Sequence, residues 1–148
     1  MKLAARCAKG EHCAWEMTEK MRAWGLDDDQ QQRVLDRLVR GKYVDDERYS
    51  RAFIHDKIQF NGWGRYKIAQ ALRQKHIDQA VYGPLLDAVD DEEYLEMLRP
   101  LVQQKWKTIT ARNDYERSMK LIRYAMSRGF DISLVRKCID MVEELPDD

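Results

Sequence analysis

Apolar residues recur along this chain in one short figure, written three times. An apolar residue is followed four positions on by a second; four further on comes a turn residue, and directly after it another apolar one. Met17, Met21, Gly25 and Leu26 form the first copy, Ile68, Leu72, His76 and Ile77 the second, and Leu121, Ala125, Gly129 and Phe130 the third. Residues four apart share a helix face, so each leading pair marks a buried stripe. Gly25 and Gly129 suit the left-handed residue that ends a helix, since they carry no Cβ to clash. His76 holds the same place in the middle copy and reads as a helix-ending residue rather than a catalytic one. The register continues beyond the turn: Val34, Leu35 and Leu38 correspond to Leu85, Leu86 and Val89, and these to Cys138, Ile139 and Val142. A period of about 50 residues sustained over successive helices predicts helical units sharing a continuous core.

Nearly every segment reads as helix. The pattern predicts a short helix at Leu3–Ala8, then Glu11–Trp24 and Gln30–Arg40, the latter with Val34, Leu35, Leu38 and Val39 inward. Asp45–Gln59 follows, burying Tyr49, Ala52 and Phe53. Arg65–Lys75 buries Ile68 and Leu72, and Gln79–Val89 buries Val81, Leu85 and Leu86. The next helix opens at Asp91 with Tyr94, Met97, Leu98, Leu101 and Val102 inward, and Pro100 predicts a kink or restart within it. Around Trp106–Asn113 lies an insertion relative to the middle unit, and Tyr115–Arg128 and Ile132–Glu144 complete the chain. The expected fold is all-α: tandem three-helix repeats at 1–42, 43–89 and 90–148, stacked into an elongated, curved body.

The acidic run Val44-Asp45-Asp46-Glu47-Arg48-Tyr49 reappears as Val89-Asp90-Asp91-Glu92-Glu93-Tyr94. Asp45 and Asp90 suit N-caps, whose carboxylates accept the orphan N–H groups of a first turn. The acids after them favour the positive end of the helix dipole. Repetition of the cluster at two helix starts favours capping over metal binding or acid–base work.

Charge changes the picture only through its distribution. The chain has 148 residues, with 26 basic and 26 acidic side chains. Charged residues make up 35%, above the roughly 25% of an average domain. Yet no acid lies between Asp56 and Asp78, where Lys57, Arg65, Lys67, Arg73 and Lys75 fall. Between Glu96 and Asp114 only Arg99, Lys105, Lys107 and Arg112 are charged, and Arg117, Lys120, Arg123 and Arg128 follow. Two such stretches on neighbouring units suggest a positive stripe able to meet phosphates or an acidic protein groove.

Catalytic and metal chemistry is sparse. Gly62-Trp63-Gly64 is too short for a phosphate loop and lacks its lysine. Cys7, His12 and Cys13 are close in sequence, but no second pair with zinc spacing follows. His12, His55 and His76 have no local Ser or Cys partner for a nucleophilic site. Three cysteines, an odd number, and an opening too short and polar for a secretory signal predict a cytoplasmic protein without disulfides. No apolar run nears the ~20 residues of a membrane span. The expectation is a monomeric binding protein with no catalytic residues, no metal and no cofactor.

Residues 43–77 carry a more specific signal. Tyr43-Val44-Asp45-Asp46-Glu47-Arg48-Tyr49-Ser50-Arg51-Ala52-Phe53, then Asn61-Gly62-Trp63-Gly64, then Ile68…Leu72…Lys75-His76-Ile77 resembles the central repeat of RecX proteins, bacterial regulators of the RecA recombinase. The chain departs from that pattern at His76, where the family usually has glycine, in a short opening helix and in the acidic Glu143–Asp148. The resemblance implies tandem three-helix units and a regulator, usually an inhibitor, that docks on RecA–DNA filaments. It would slow strand exchange, ATP hydrolysis and RecA-assisted repressor cleavage in recombination, DNA repair and the SOS response. Single- or double-stranded DNA is a further candidate partner.

The charge distribution nominates the contact residues: Arg48, Arg51, Lys57, Trp63, Arg65, Lys67, Arg73, Lys75, Lys105, Lys107, Arg112, Arg117, Lys120 and Arg123. Trp63, between two glycines at the start of a helix, reads either as a lid over Phe53 or Phe60 or as a partner-facing anchor. The alternative function is autonomous DNA binding, because three-helix units can resemble helix-turn-helix modules.

Overall fold

The computed structural model of the chain describes Leu3 and residues 10–143, with side chains as far as Asp140. Among the described residues there are eight α-helices and no strand. They are α1 Ala14–Ala23, α2 Asp28–Arg40, α3 Asp46–Gln59, α4 Arg65–Gln74, α5 Gln79–Asp87, α6 Asp91–Thr108, α7 Asp114–Ser127 and α8 Ile132–Glu143. None is long and apolar enough to cross a membrane. The helix expected at Leu3–Ala8 lies outside the described residues except for Leu3, which is buried. Cys7 and the acidic tail beyond Glu143 also lie outside them.

Each copy of the apolar figure ends its helix in the same way. Leu26 N–H donates to the Met21 carbonyl (3.1 Å) and Gly25 N–H to that of Arg22 (3.0 Å). Ile77 and His76 donate likewise to Leu72 (3.3 Å) and Arg73 (3.0 Å), and Phe130 and Gly129 to Ala125 (3.2 Å) and Met126 (2.9 Å). Such paired bonds form the Schellman turn, which needs one residue at positive φ. Gly25, His76 and Gly129 supply it at +83°, +57° and +93°. His76 is therefore the helix-ending residue its register predicted, and its ring stacks on Trp15 at 5.1 Å.

An aspartate follows every copy, one position beyond the figure as read from the sequence. Asp27, Asp78 and Asp131 accept from the N–H groups of Gln30 (2.8 Å), Ala80 (2.9 Å) and Ser133 (3.1 Å). One short phrase thus stops a helix, turns the chain and caps the next helix.

The leading pairs form the core: Met17, Met21, Ile68, Leu72, Leu121 and Ala125 are all within 1% of full burial. Burying a Leu, Ile or Met side chain contributes about 1.5–3 kcal/mol. Several expectations are corrected. Val39 is 51% exposed, and Arg37, Leu38 and Val39 carbonyls instead feed the turn that closes α2 at Lys42. On α3 the fully inward residues are Tyr49, Ser50, Ile54 and Ile58; Ala52 and Phe53 are half-buried, with Phe53 stacked on Tyr49 at 5.8 Å. On α5 the buried positions are Tyr82 and Leu86, while Val81 and Leu85 are half-buried. Met97 and Leu101 are half-buried on α6, and Leu95 and Trp106 join Tyr94, Leu98 and Val102 inside.

Pro100 does not restart α6, which runs unbroken from Asp91 to Thr108. Proline costs the carbonyl four residues earlier its partner; that residue, Glu96, is exposed, so water can satisfy it. The insertion expected near Trp106–Asn113 becomes the last turn of α6 and a short connection. Asp45 caps α3, accepting from Arg48 N–H at 3.0 Å. Asp90 occupies the N-cap of α6, but its carboxylate makes no capping bond. Asp46 caps a different helix, taking the first N–H of α1, that of Ala14, at 2.9 Å.

By contacts the chain forms two compact units. The first comprises the described residues up to Ile54 with Ala71–Leu85, and the second His55–Gln70 with the described residues from Leu86 on. In the first, α1 packs on α2 around Leu3, Met17, Met21, Leu38 and Val44. In the second, α6, α7 and α8 pack against one another.

Candidate functional site

The second unit contains a junction at which two helix ends complete each other. The last carbonyls of a helix and the first N–H groups of another both lack intrahelical partners. Here Gly64 N–H donates to the Arg128 carbonyl (2.8 Å) and Tyr66 N–H to that of Gly129 (3.0 Å), joining the start of α4 to the end of α7. The backbones meet so closely that a Cβ on Gly64 would overlap the Gly129 carbonyl and Phe130 nitrogen. The Arg128 guanidinium then reaches back, donating from Nη2 to the Asn61 carbonyl (2.7 Å) and from Nε to that of Gly62 (3.3 Å). Gly62 itself has φ +62°, and Trp63 N–H donates to the Lys57 carbonyl at 3.0 Å. The loop carrying Trp63 is held from both sides.

Around this junction, cations lie on aromatic rings. Lys57 and Lys67 place their ammonium groups 4.8 and 4.6 Å from the centre of Trp63, which is half-buried. Lys105 and Arg128 share Tyr124 at 4.7 and 5.8 Å, and Arg117 lies 5.1 Å from Trp106. Arg65 sits 5.4 Å from Tyr94, with Asp91 at 3.8 Å on its other side. Each such contact contributes about 0.5–1 kcal/mol at an exposed site. It orders a long side chain without cancelling its charge. Lys67, Lys105, Arg117 and Arg128 have no carboxylate partner among the described residues.

Five other nominated cations are paired with acids. Arg48 pairs with Glu11 and Arg51 with Glu47, each at 2.7 Å. Lys75 pairs with Glu16 at 3.3 Å and lies over Trp15. Arg112 and Lys120 converge on Glu116 at 3.0 and 3.5 Å, and Lys120 also donates to the Thr110 carbonyl. Arg73, Lys107 and Arg123 are exposed and carry no ion pair among the described residues. Arg48, Arg51, Arg73 and Lys75 belong to the first compact unit and the other nominated residues to the second. The structure brings together Lys57, Trp63 and Lys67. Trp63 does not cover Phe60, which is 80% exposed.

Tyr124 was missed by the sequence reading, and Arg128 was counted only as a charge. The signal was present, since Arg128 precedes the turn glycine of the third copy and Tyr124 stands one helical turn before it. In the first unit, burial pushes the Cys13 thiol up to about 12, and this cysteine is a core residue at the head of α1. Burial also opposes ionisation of Glu16. The Cys13 N–H at 3.0 Å and the Lys75 ammonium outweigh it and hold that carboxyl below its ordinary range. The remaining described members of the cysteine–histidine group, His12 and Cys13, are not part of any set of three or more potential ligands among the described residues.

Comparison with known proteins gives this arrangement a family. Residues 45–82 match the second three-helix domain of RecX and residues 91–139 the third, together more than half of the chain. The chain is 28% identical over 140 residues to the regulatory protein RecX of Acinetobacter baylyi, covering 95% of this chain and 85% of that protein. It is 28% identical over 131 residues to the RecX of a Clostridium botulinum strain, of which it spans 59%. A crystal structure of RecX from Lactobacillus salivarius superposes with a TM-score of 0.84 at 16% identity, over 97% of this chain and 94% of that one, and so shares its fold. With two matched three-helix domains in tandem and the same helical fold throughout, this chain belongs to the RecX family.

Proposed function

We propose that this RecX-family regulator acts by binding the RecA recombinase on DNA and lowering its strand exchange, ATP hydrolysis and repressor-cleavage activities, in recombination, DNA repair and the SOS response. It works in the cytoplasm as a monomer, with no turnover, cofactor or metal of its own, and its three repeats at 1–42, 43–89 and 90–148 are the units of docking. The observation that best supports this reading is the set of cations ordered on aromatic rings in the second unit. Lys67, Lys105, Arg117 and Arg128 keep their charge while the rings hold them in place. A polyanionic filament, or an acidic groove on its protein, is the complement of such a surface. Arg and Trp at a structured loop are also the residues that dominate interface energies.

The test is inhibition of RecA ATP hydrolysis on single-stranded DNA by the wild-type chain and by Lys67→Glu/Lys105→Glu. Both side chains lie on the surface of ring contacts rather than in the core, so helicity and melting temperature should be kept while inhibition falls. Full inhibition by a folded double variant would sink this assignment of the surface. Autonomous DNA binding predicts a different result: equal affinity for naked DNA and for DNA coated with RecA. The regulator reading predicts strong preference for the coated form.

A further inference from the structure

A second surface lies on the other compact unit and plays no part in the reading above. Leu26, Gln30, Arg33, Val34 and Arg37 line an open groove of about 270 Å³ along α2. Its floor is Leu26 and Val34, both half-buried and packed against the cluster of Leu3, Met17, Met21, Leu38 and Val44. Its rim is Arg33 and Arg37, one helical turn apart and exposed.

Among the described residues these arginines are not taken up by acids. Elsewhere in this unit Arg22, Arg48, Arg51 and Lys75 each hold a glutamate at 2.7–3.3 Å. Arg33 reaches only the Asp29 backbone carbonyl, at 3.4 Å, and Arg37 has no carboxylate partner among the described residues. The helix dipole accounts for Arg37 in the last turn of α2. It does not account for Arg33 in the middle, nor for an apolar floor between the two. Gln30 spends its Oε1 on the Asp27 N–H at 3.0 Å, which leaves its NH2 group as a further donor in the groove.

We propose that this groove docks an acidic peptide segment of a protein partner, with an aliphatic side chain on the Leu26–Val34 floor and carboxylates on Arg33 and Arg37. Charge complementarity selects the occupant: Arg33, Arg37 and Gln30 offer donors and no acceptor acid. A nucleic acid fits worse. No aromatic ring lines the groove for base stacking. Two guanidinium groups one turn apart match carboxylates spaced along an extended or helical segment, and Arg presents a planar fork suited to bidentate pairing.

The experiment is a backbone-amide NMR titration of the full chain with a short synthetic peptide in which glutamates flank a pair of leucines. Saturable shifts are expected at Leu26, Gln30, Arg33, Val34 and Arg37. Replacing both peptide leucines by alanine should abolish saturation. In Arg33→Gln/Arg37→Gln the affinity should fall roughly tenfold, as the loss of charged hydrogen bonds predicts, with an unchanged circular dichroism spectrum. Shifts spread over Arg73, Lys107 and Arg123 instead would overturn the proposal, as would equal affinity for the alanine peptide or in the double variant. So would displacement of the peptide from these residues by oligothymidine, which would make the groove a phosphate site. None of these results depends on RecA.

Discussion

Gly64 is required by contact, Gly25 by conformation, and Gly129 by both. Gly25 and Gly129 share positive φ, but a Cβ on Gly25 would meet nothing within 4 Å, whereas one on Gly129 would run into Lys67. Gly25→Ala should therefore cost about 1 kcal/mol from strain. Gly64→Ala should cost ~1–3 kcal/mol by overpacking, and Gly129→Ala should carry both the overpacking and the strain. Denaturant titration checks this, and equal costs at all three positions would mean that the junction yields freely. Burial separates two other residues that look alike in sequence. Leu72→Ala should cost about 2–5 kcal/mol through lost burial and a cavity, and Phe53→Ala distinctly less, because Phe53 is only half-buried. A larger loss at Phe53 would show that its stack on Tyr49 is more important than area suggests.

At the scale of the element, the helix starts sort themselves by which carboxylate reaches an N–H. Asp131→Ala and Asp45→Ala each remove a capping bond and should cost about 1 kcal/mol. Asp90→Ala removes none and should be near neutral in the same melts, although Asp45 and Asp90 both stand in a Val-Asp-Asp-Glu run. The head of α1 adds a pH term. Glu16 is held below its usual value of 4.5 in the folded chain. A depressed carboxyl contributes stability that is present above the unfolded pKa and lost as pH falls through the folded one. Stability should therefore drop as the solution is taken below about pH 4.5, and Glu16→Gln should flatten that part of the profile. An unchanged slope in denaturation midpoints between pH 6 and 3, roughly the range where carboxyls titrate, would remove Glu16 from the account.

For the whole molecule, zero net charge conceals a division of labour. Some cations are spent on glutamates within their own unit, while others rest on rings and keep their charge. If the second set meets a polyanionic filament, binding to RecA-coated DNA should weaken steeply as salt rises from low to physiological, through screening and counterion release. Surface plasmon resonance across that range decides it, and a flat response would point to an apolar interface instead. The same division explains why a count of basic residues was a poor guide to the surface. Arg48 looks as available as Lys67 and Lys105 in the sequence, but the acid that neutralises it, Glu11, is remote along the chain.

The chain alone determined what depends on neighbours a few positions apart. Helical periodicity, the three Schellman turns with His76 among them, and the stripes Met17/Met21, Ile68/Leu72 and Leu121/Ala125 are all local, because a helix brings i and i+4 together whatever it packs against. Even the aspartate after each turn was legible in that register, though unread. Tertiary structure decided the rest. Val39 and Leu38 are adjacent and equally apolar, yet only packing against α1 chose which one was buried. Pro100 reads as a break, yet α6 runs through it at an exposed stretch of the helix where Glu96 faces solvent. Tyr124 acquired Lys105 from a different helix, and Gly64 and Gly129 let two helix ends touch beside Lys67. Contacts between residues far apart in sequence depend on how helices are set against one another, and no short-range pattern carries that distance.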